Sequence, residues 1–395
     1  MKKTIGLCML LFVMAISLVQ CTKSTSDVAD TYPAIEATFG SNINPASFAN
    51  YAGQAKPAYI TKDNAVGFVL NNAKATLGRV LFYDKSLSID NTISCGSCHK
   101  QTFAFSDTAL ASKGVQGGLT ARHSMRLVNV RFGREAKFFW DERAATLEQQ
   151  TTMPIQDHAE MGFSGQNGRG NLNTLLTKLQ GINYYNELFK LVYGDINVTE
   201  VRLQESLSHF IRSIQSFDSK FDVGRAQVPN NAANFPNFTA QENTGKTLFL
   251  AAPVFDANGV RTTGGAGCNG CHNAPEFDID PNTRNNGIIG RLNATGFDLG
   301  ITRSPTLRDL VNNNGELNGP LMHTGVITSL QAAVGHYNTI NANPANNNLD
   351  PRLRPGGNGQ QLNLNATEMA ALTSFLRTLS GVSMYTDTKW SNPFK

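Results

Sequence analysis

Apolar positions recur at helical spacing in several stretches of the chain. From Asn72 to Tyr83, Leu77, Val80 and Leu81 share one face, which predicts a helix. Leu147 to Gln150 predicts a short helix, and Leu172 to Leu179 another. Val201 to Phe217 predicts a longer one, with Val201, Ser208, Phe210, Ile211 and Ile214 as an inward stripe of apolar and small residues. Thr239 to Phe249 opens a new helical unit. Near the C-terminus, Asn365-Ala366-Thr367-Glu368 has the form of a helix start, Leu372, Phe375, Leu376 and Leu379 form the apolar face, and Gly381 is placed to end it. Glycine and asparagine mark loops at Gly114 to Gly118, Asn312 to Gly319 and Asn341 to Asn348, and Gly259 to Gly267 is a Gly-rich insert. Val228 to Asn237 carries Pro229 and Pro236 among asparagines and reads as a linker. Thr22 to Ala58 is polar with weak periodicity and reads as a tether. The pattern predicts a mainly α chain of two helical units.

The first residues differ from the rest. Lys2-Lys3 followed by an apolar run from Ile5 to Val19 has the layout of a secretory signal, too short for a membrane span. Leu18-Val19-Gln20-Cys21 looks like a bacterial lipobox with Cys21 as the acylated residue, although Gln20 is unusual there and leaves ordinary signal cleavage as the alternative. Either reading sends the chain across the inner membrane, and the lipobox reading adds a lipid anchor as its one membrane contact. Of the 395 residues 41% are hydrophobic and 16% charged, with a net charge of +4. That is an ordinary globular balance with no basic stripe for nucleic acid.

All six cysteines have a place. Cys8 lies in the apolar run and Cys21 ends it. The other four form Cys95-Gly96-Ser97-Cys98-His99 and Cys268-Asn269-Gly270-Cys271-His272. Each is a C-x-x-C-H motif, in which two thiols attach one porphyrin and the next imidazole binds its iron. On a helical turn, positions i, i+3 and i+4 share a face, so both sulfurs and the ring can meet one flat ligand. A redox pair or a four-thiolate zinc site is the alternative, but neither gives a reason for a histidine after each pair. Each motif follows a helix of similar sequence, Leu77-Gly78-Arg79-Val80-Leu81-Phe82 or Gly245-Lys246-Thr247-Leu248-Phe249, which suggests an internal duplication.

Further signatures are Ile93-Ser94 before the first motif, Phe138-Phe139-Trp140-Asp141-Glu142-Arg143-Ala144, Glu160-Met161-Gly162, Ser304-Pro305-Thr306-Leu307-Arg308 and Met322-His323-Thr324-Gly325. With them the chain, from about Asn64 to Ser380, resembles the bacterial dihaem cytochrome c peroxidases, including their methylamine-utilisation branch (MauG). The resemblance implies two cytochrome-c-like domains, each with one covalent haem c. It divides the chain into a signal peptide (1–21), a tether (22–60), an N-terminal peroxidatic domain (61–227), a linker (228–238) and a C-terminal electron-transfer domain (239–395). It implies that His99 and His272 bind the two irons. Hydrogen peroxide would be reduced at the first haem, with electrons entering at the second from a small periplasmic cytochrome c or cupredoxin. By position, Glu160 matches the distal carboxylate that moves peroxide's protons. Gln150, Phe139 and Pro154 match other members of that pocket, and Trp140 matches the tryptophan between the haems. Dimers are common in the family.

Two departures refine the expectation. Val115 falls where better-known members place a histidine that caps the first iron, so that haem is expected to be open at rest. His123 aligns with an asparagine that helps hold calcium between the domains, beside carbonyls that here belong to Asn318 and Pro320; the resemblance allows calcium, and imidazole in place of oxygen argues against it. Tyr337 falls where better-known members place a methionine ligand to the second iron, and the MauG branch has a tyrosine there. Met322 and His336 are its rivals, and His323 is expected nearby. His158 and His209 are expected to be structural. Two other readings are a MauG-like oxidase acting on a protein or organic substrate through a high-valent state, and a non-catalytic electron carrier.

Overall fold

The computed structural model describes residues 31–279 and 281–395. The signal segment and Cys21 lie outside them. The chain is largely helical. Its helices are α1 (Pro33–Phe39), α2 (Asn72–Tyr83), α3 (Cys95–Cys98), α4 (Leu147–Gln156), α5 (Leu172–Gln180), α6 (Asn183–Tyr193), α7 (Glu200–Ser213), α8 (Lys220–Arg225), α9 (Ala240–Leu250), α10 (Leu330–Asn338) and α11 (Ala366–Arg377). Two small antiparallel ribbons complete it: β1 (Pro253–Phe255) with β2 (Arg261–Gly264), and β3 (His272–Asn273) with β4 (Asp278–Ile279). Among the described residues no helix is long and apolar enough to cross a membrane.

The same device builds each half. In the first, α2 crosses α7 at Gly78, where an added Cβ would lie 1.9 Å from the Ser206 carbonyl oxygen and 2.9 Å from the Phe210 Cβ. In the second, α9 crosses α11 at Gly245, where it would lie 1.9 Å from the Ala371 carbonyl oxygen and 2.9 Å from the Phe375 Cβ. Only glycine permits either approach. The next residue in each case is a buried cation that serves backbone carbonyls. Arg79 Nε donates to Ser391 O at 2.6 Å, and Lys246 Nζ donates to Asn231 O and Ala233 O at 2.8 Å each. These matching contacts are what a duplicated unit would leave.

Two large apolar cores result, one around α2 and α7 and one around α9 and α11. Their boundaries correct the sequence reading in three places. Residues 33–58, expected in the tether, are packed: Ile35, Phe39 and Tyr51 are buried in the first core. The 228–238 linker has no regular element, but Phe235 and Phe238 bury their rings in the second core beside Phe221 of α8. That core therefore begins before residue 228. The C-terminal segment returns to the first core, where Met384, Tyr385 and Trp390 are buried. It is tied there by Trp390 Nε1 to Ser213 Oγ (3.2 Å), Tyr83 Oη to Trp390 O (2.7 Å) and Tyr51 Oη to Lys389 O (2.7 Å).

Smaller differences follow from local chemistry. The helix expected over Val201–Phe217 ends at Ser213, and Val201 is 71% exposed on its first turn rather than inward. Asn365 does cap α11 in a capping box with Glu368. That helix ends at Arg377, before Gly381, whose N–H instead donates to Asp309 Oδ1 at 2.8 Å.

Charged groups cross between the halves, at Tyr59 with Asp222 and at Arg122 with Asp298. Arg308, fully buried, makes two bonds to Asp222 (2.8 and 3.0 Å), and Tyr59 Oη donates to the same carboxylate at 2.8 Å. Arg122 spans Asp141 and Asp298, at 2.7 and 2.9 Å.

Candidate active site

The first C-x-x-C-H motif lies on α3, where Ser94 N donates to Ser97 Oγ (3.0 Å) and His99 N to Cys95 O (2.9 Å). This turn faces both thiols and the ring the same way. His99 Nδ1 is 3.0 Å from the Phe105 carbonyl oxygen. A carbonyl can only accept, so Nδ1 carries the proton and Nε2 keeps its lone pair, the arrangement a metal-binding histidine needs. Burial pushes His99 down, keeping it neutral. Burial also pushes the Cys95 thiol up to about 12 and Cys98 to about 11. Neither is a reactive thiolate, which argues against the redox pair. The two cysteine pairs pack against different cores, and among the described residues no cluster of three histidine, cysteine or acidic side chains is placed to hold a metal ion. The four-thiolate zinc alternative has no support.

Of the expected pocket residues, Glu160 lies near this motif. Glu160 is half-buried, and its charge is felt at both Cys95 and Cys98. Burial, then the neighbouring Asp157 charge, pushes its carboxyl up to about 7, while Arg143 opposes the shift. Glu160 is tied in by its N–H to Asp157 Oδ1 at 3.0 Å. Its carbonyl accepts from Val115 N at 2.9 Å, so the loop after the first motif is fastened directly to the Glu160 segment. Gly114 and Gly118 allow this: a Cβ at either would strike the Ala159 carbonyl oxygen, at 1.8 and 2.3 Å. Val115 is buried there and offers no ligand. Gln150 and Pro154 lie one turn apart on α4, and the Pro154 carbonyl accepts from Met161 N at 3.3 Å. Phe139, held at a φ of +73°, lies beneath the Arg143 guanidinium, 3.6 Å from the ring centre. His158 Nδ1 is paired with Ser164 Oγ at 2.8 Å, a structural contact beside Glu160.

The second motif is built differently. Cys268–Gly270 is a single 3-10 turn and His272 begins β3. Cys268, Cys271 and His272 line an apolar cavity of about 590 Å³. Burial pushes His272 down to about 4, against the opposing pull of the Pro305 backbone, so its ring is neutral. Two thiols, a neutral imidazole and an apolar chamber of this size suit a haem c. Tyr337 from α10 and Met322 both line this cavity, and the Asn286 amide bridges them, with Nδ2 at 3.3 Å from Tyr337 Oη and 3.2 Å from Met322 Sδ. His336 does not line it and is paired through Nε2 with the Asn286 carbonyl at 2.9 Å, which removes it as a rival ligand. His323 lines the cavity with Nε2 on Gly290 O at 3.0 Å.

Trp140 lies at the second cavity. Its Nε1 donates to His123 O at 2.8 Å, its carbonyl accepts from Thr302 N and Arg303 N at 3.1 Å each, and its side chain lines the second cavity. Its ring centre is 6.2 Å from that of His323.

The junction does not favour calcium. His123 Nδ1 is paired with Ala109 O at 2.9 Å and Nε2 faces Ser106 Oγ at 3.4 Å, so neither nitrogen is offered to a cation. Asn318 is buried and gives its amide N–H groups to Asp309 O and Tyr385 Oη.

These features invite comparison with known proteins. Residues 72–227 match the model of the di-haem cytochrome c peroxidase family. The chain is 26% identical over 319 residues to methylamine utilization protein MauG of Methylophilus methylotrophus, spanning 78% of this chain and 82% of that protein. It is 28% identical over 329 residues to cytochrome c551 peroxidase of Nitrosomonas europaea, spanning 79% and 81%. Among solved structures, a MauG-like protein associated with microbial copper homeostasis aligns with a TM-score of 0.64 at 24% identity, covering 86% of this chain and 99% of that one. The diheme peroxidase BthA from Burkholderia thailandensis aligns at 0.58 and 21%, covering 83% and 92%. The chain thus has the fold of the diheme peroxidases and MauG-like proteins, and the similarities support a peroxidase-type oxidoreductase.

Sequence reading missed Arg126, whose side chain also lines the second cavity. A lone basic residue in the apolar run Met125-Arg126-Leu127-Val128 was its one visible signal.

Proposed function

We propose that this protein is a dihaem cytochrome c peroxidase that reduces hydrogen peroxide to water at the Cys95–His99 site. The observation that carries the reading is Glu160, a half-buried carboxyl beside that motif, pushed up to about 7 by burial. Bound haem would be held by Cys95, Cys98 and His99 and would supply the iron at which the O–O bond is cleaved. Glu160 does the proton work: it accepts a proton from one peroxide oxygen and returns it to the other, which leaves as water. Two further protons and two electrons complete the reduction to two waters. A group near pH 7 can move a proton in both directions. Gln150, Phe139 and Pro154 would line the approach, and Val115, in the loop fastened to the Glu160 segment, offers no ligand to a bound haem.

A second haem would be held by Cys268, Cys271 and His272, with Tyr337 or Met322 in the same cavity as a further candidate ligand, and would receive electrons from a small periplasmic cytochrome c or cupredoxin. Trp140, buried and bonded on both sides, is the bridge. Export, an acylated Cys21 anchoring the chain to the outer membrane, and assembly as a homodimer belong to the same proposal.

The test is Glu160→Gln with both haems loaded. Peroxide turnover with reduced cytochrome c is expected to fall about 10²–10⁴-fold, the usual worth of a positioned proton-transfer group. Full turnover in the variant sinks the mechanism. Tyr337 at the second cavity favours one other reading, a MauG-like oxidase of a protein or organic substrate. That reading prevails if the wild-type protein reacts with peroxide but does not consume reduced cytochrome c in steady state.

A further inference from the structure

Arg126 belongs to the first half of the chain, yet its side chain lines the cavity of the second motif. It is 9% exposed. Nη2 donates to the Thr306 carbonyl at 3.2 Å, and Nε has no partner at all. The carboxyl whose charge acts on it is Asp309, but the two are not bonded. Asp309 Oδ1 accepts from Gly381 N at 2.8 Å and Tyr385 Oη at 3.1 Å, and its Oδ2 has no partner. Of the other arginines lining the cavity, Arg284 is exposed to solvent and two are engaged. Arg303 donates to Lys137 O at 2.5 Å with Asp278 Oδ2 at 3.9 Å, and Arg352 pairs with Asp350 at 2.7 Å. Burial pulls Arg126 down to about 10, which still leaves it charged at neutral pH.

A guanidinium withdrawn from water beside an apolar chamber is costly unless an anion meets it. The occupant that two thiols and an imidazole call for brings that anion, since a haem c carries two propionates. Guanidinium also suits the task geometrically, because its planar fork matches a carboxylate.

We infer that Arg126 reaches across from the first half to anchor a propionate of the haem held by Cys268, Cys271 and His272, and so holds that haem's reduction potential up. The inference rests on the second motif carrying a haem. Arg126 acts as a positioning residue, through a charge beside the porphyrin. Without the guanidinium, the buried propionate's charge stabilises the ferric state, the more positive of the two, and the potential drops.

The experiment is spectroelectrochemical titration of the holoprotein, with the second haem's wave assigned by its loss in Cys268→Ser/Cys271→Ser. Arg126→Gln is expected to lower that midpoint, and Arg126→Lys, which keeps the charge, to leave it near the wild-type value. An unchanged midpoint in Arg126→Gln overturns the inference, as does an equal drop in Arg126→Lys, which would make the effect one of packing. If Arg126→Gln does not fold, resonance Raman on Arg126→Lys decides. The propionate bending mode is expected to shift as an ammonium replaces the guanidinium fork, and an unshifted mode overturns the assignment. A wild-type protein that binds haem only at the first motif would instead sink the haem reading of the second.

Discussion

His209 shows how one buried ring can be tied to pH. Its Nδ1 accepts from Asn71 N at 3.1 Å and its ring packs on Phe68 at 4.4 Å, so the fold requires the neutral form. Burial is the main cause that pushes it down to about 4 from 6.5. Between those values the unfolded chain binds the proton and the folded chain does not, so stability is complete above 6.5 and declines as pH falls toward 4. From pH 7 to 5 this ring should cost about 2 kcal/mol, and His209→Gln should reduce the loss seen in urea unfolding at the two pH values. Glu160 has the opposite consequence, for activity. As the base that takes peroxide's proton it must be ionised, so the rate constant for peroxide should fall with acid below about 7 and level off above it. Stopped-flow rates across pH 5 to 9 check this, and Glu160→Gln should be slow and flat. The residues of the first motif were legible in sequence because attachment chemistry fixes their order. The state of Glu160 was not, since it depends on burial, and its segment is held by the loop at Val115, distant in the chain.

At the scale of elements, the two glycine crossings are the points of least tolerance. Gly78→Ala or Gly245→Ala would drive a methyl into a helix carbonyl, and each should cost about 1–3 kcal/mol or more by overpacking. Thermal unfolding of both variants, with their haems in place, measures it. Helices α2, α5, α9 and α11 were readable because their apolar faces repeat locally and Asn or Thr caps their starts. Others were not. In α10, Leu330-Gln-Ala-Ala-Val-Gly-His-Tyr-Asn offers little contrast, with only Leu330 and Val334 buried, and Tyr337 was found by position alone. The Gly-rich insert Gly259–Gly267 includes strand β2, whose pairing partner β1 lies outside it, so its own residues show no strand pattern. The second motif's 3-10 turn could not be told from a helical one, since both place the ends of C-x-x-C close together.

For the whole molecule, periodicity cannot say which core a segment joins. Residues 33–58 look like a tether because their few apolar groups are scattered, yet Ile35, Phe39 and Tyr51 each fill the first core. The C-terminal segment is the stronger case, since it follows the second core and serves the first. Trp390→Ala should therefore destabilise the half that contains the Cys95–His99 motif, by about 3–5 kcal/mol, and leave the other half near its normal stability. Urea titration followed at each haem's absorbance separates the two. The strap also sets an order of events during synthesis. Cys95 and Cys98 leave the ribosome long before Met384, Tyr385 and Trp390 exist to close the core around them. The first half therefore lacks part of its core until the last residues of the chain arrive.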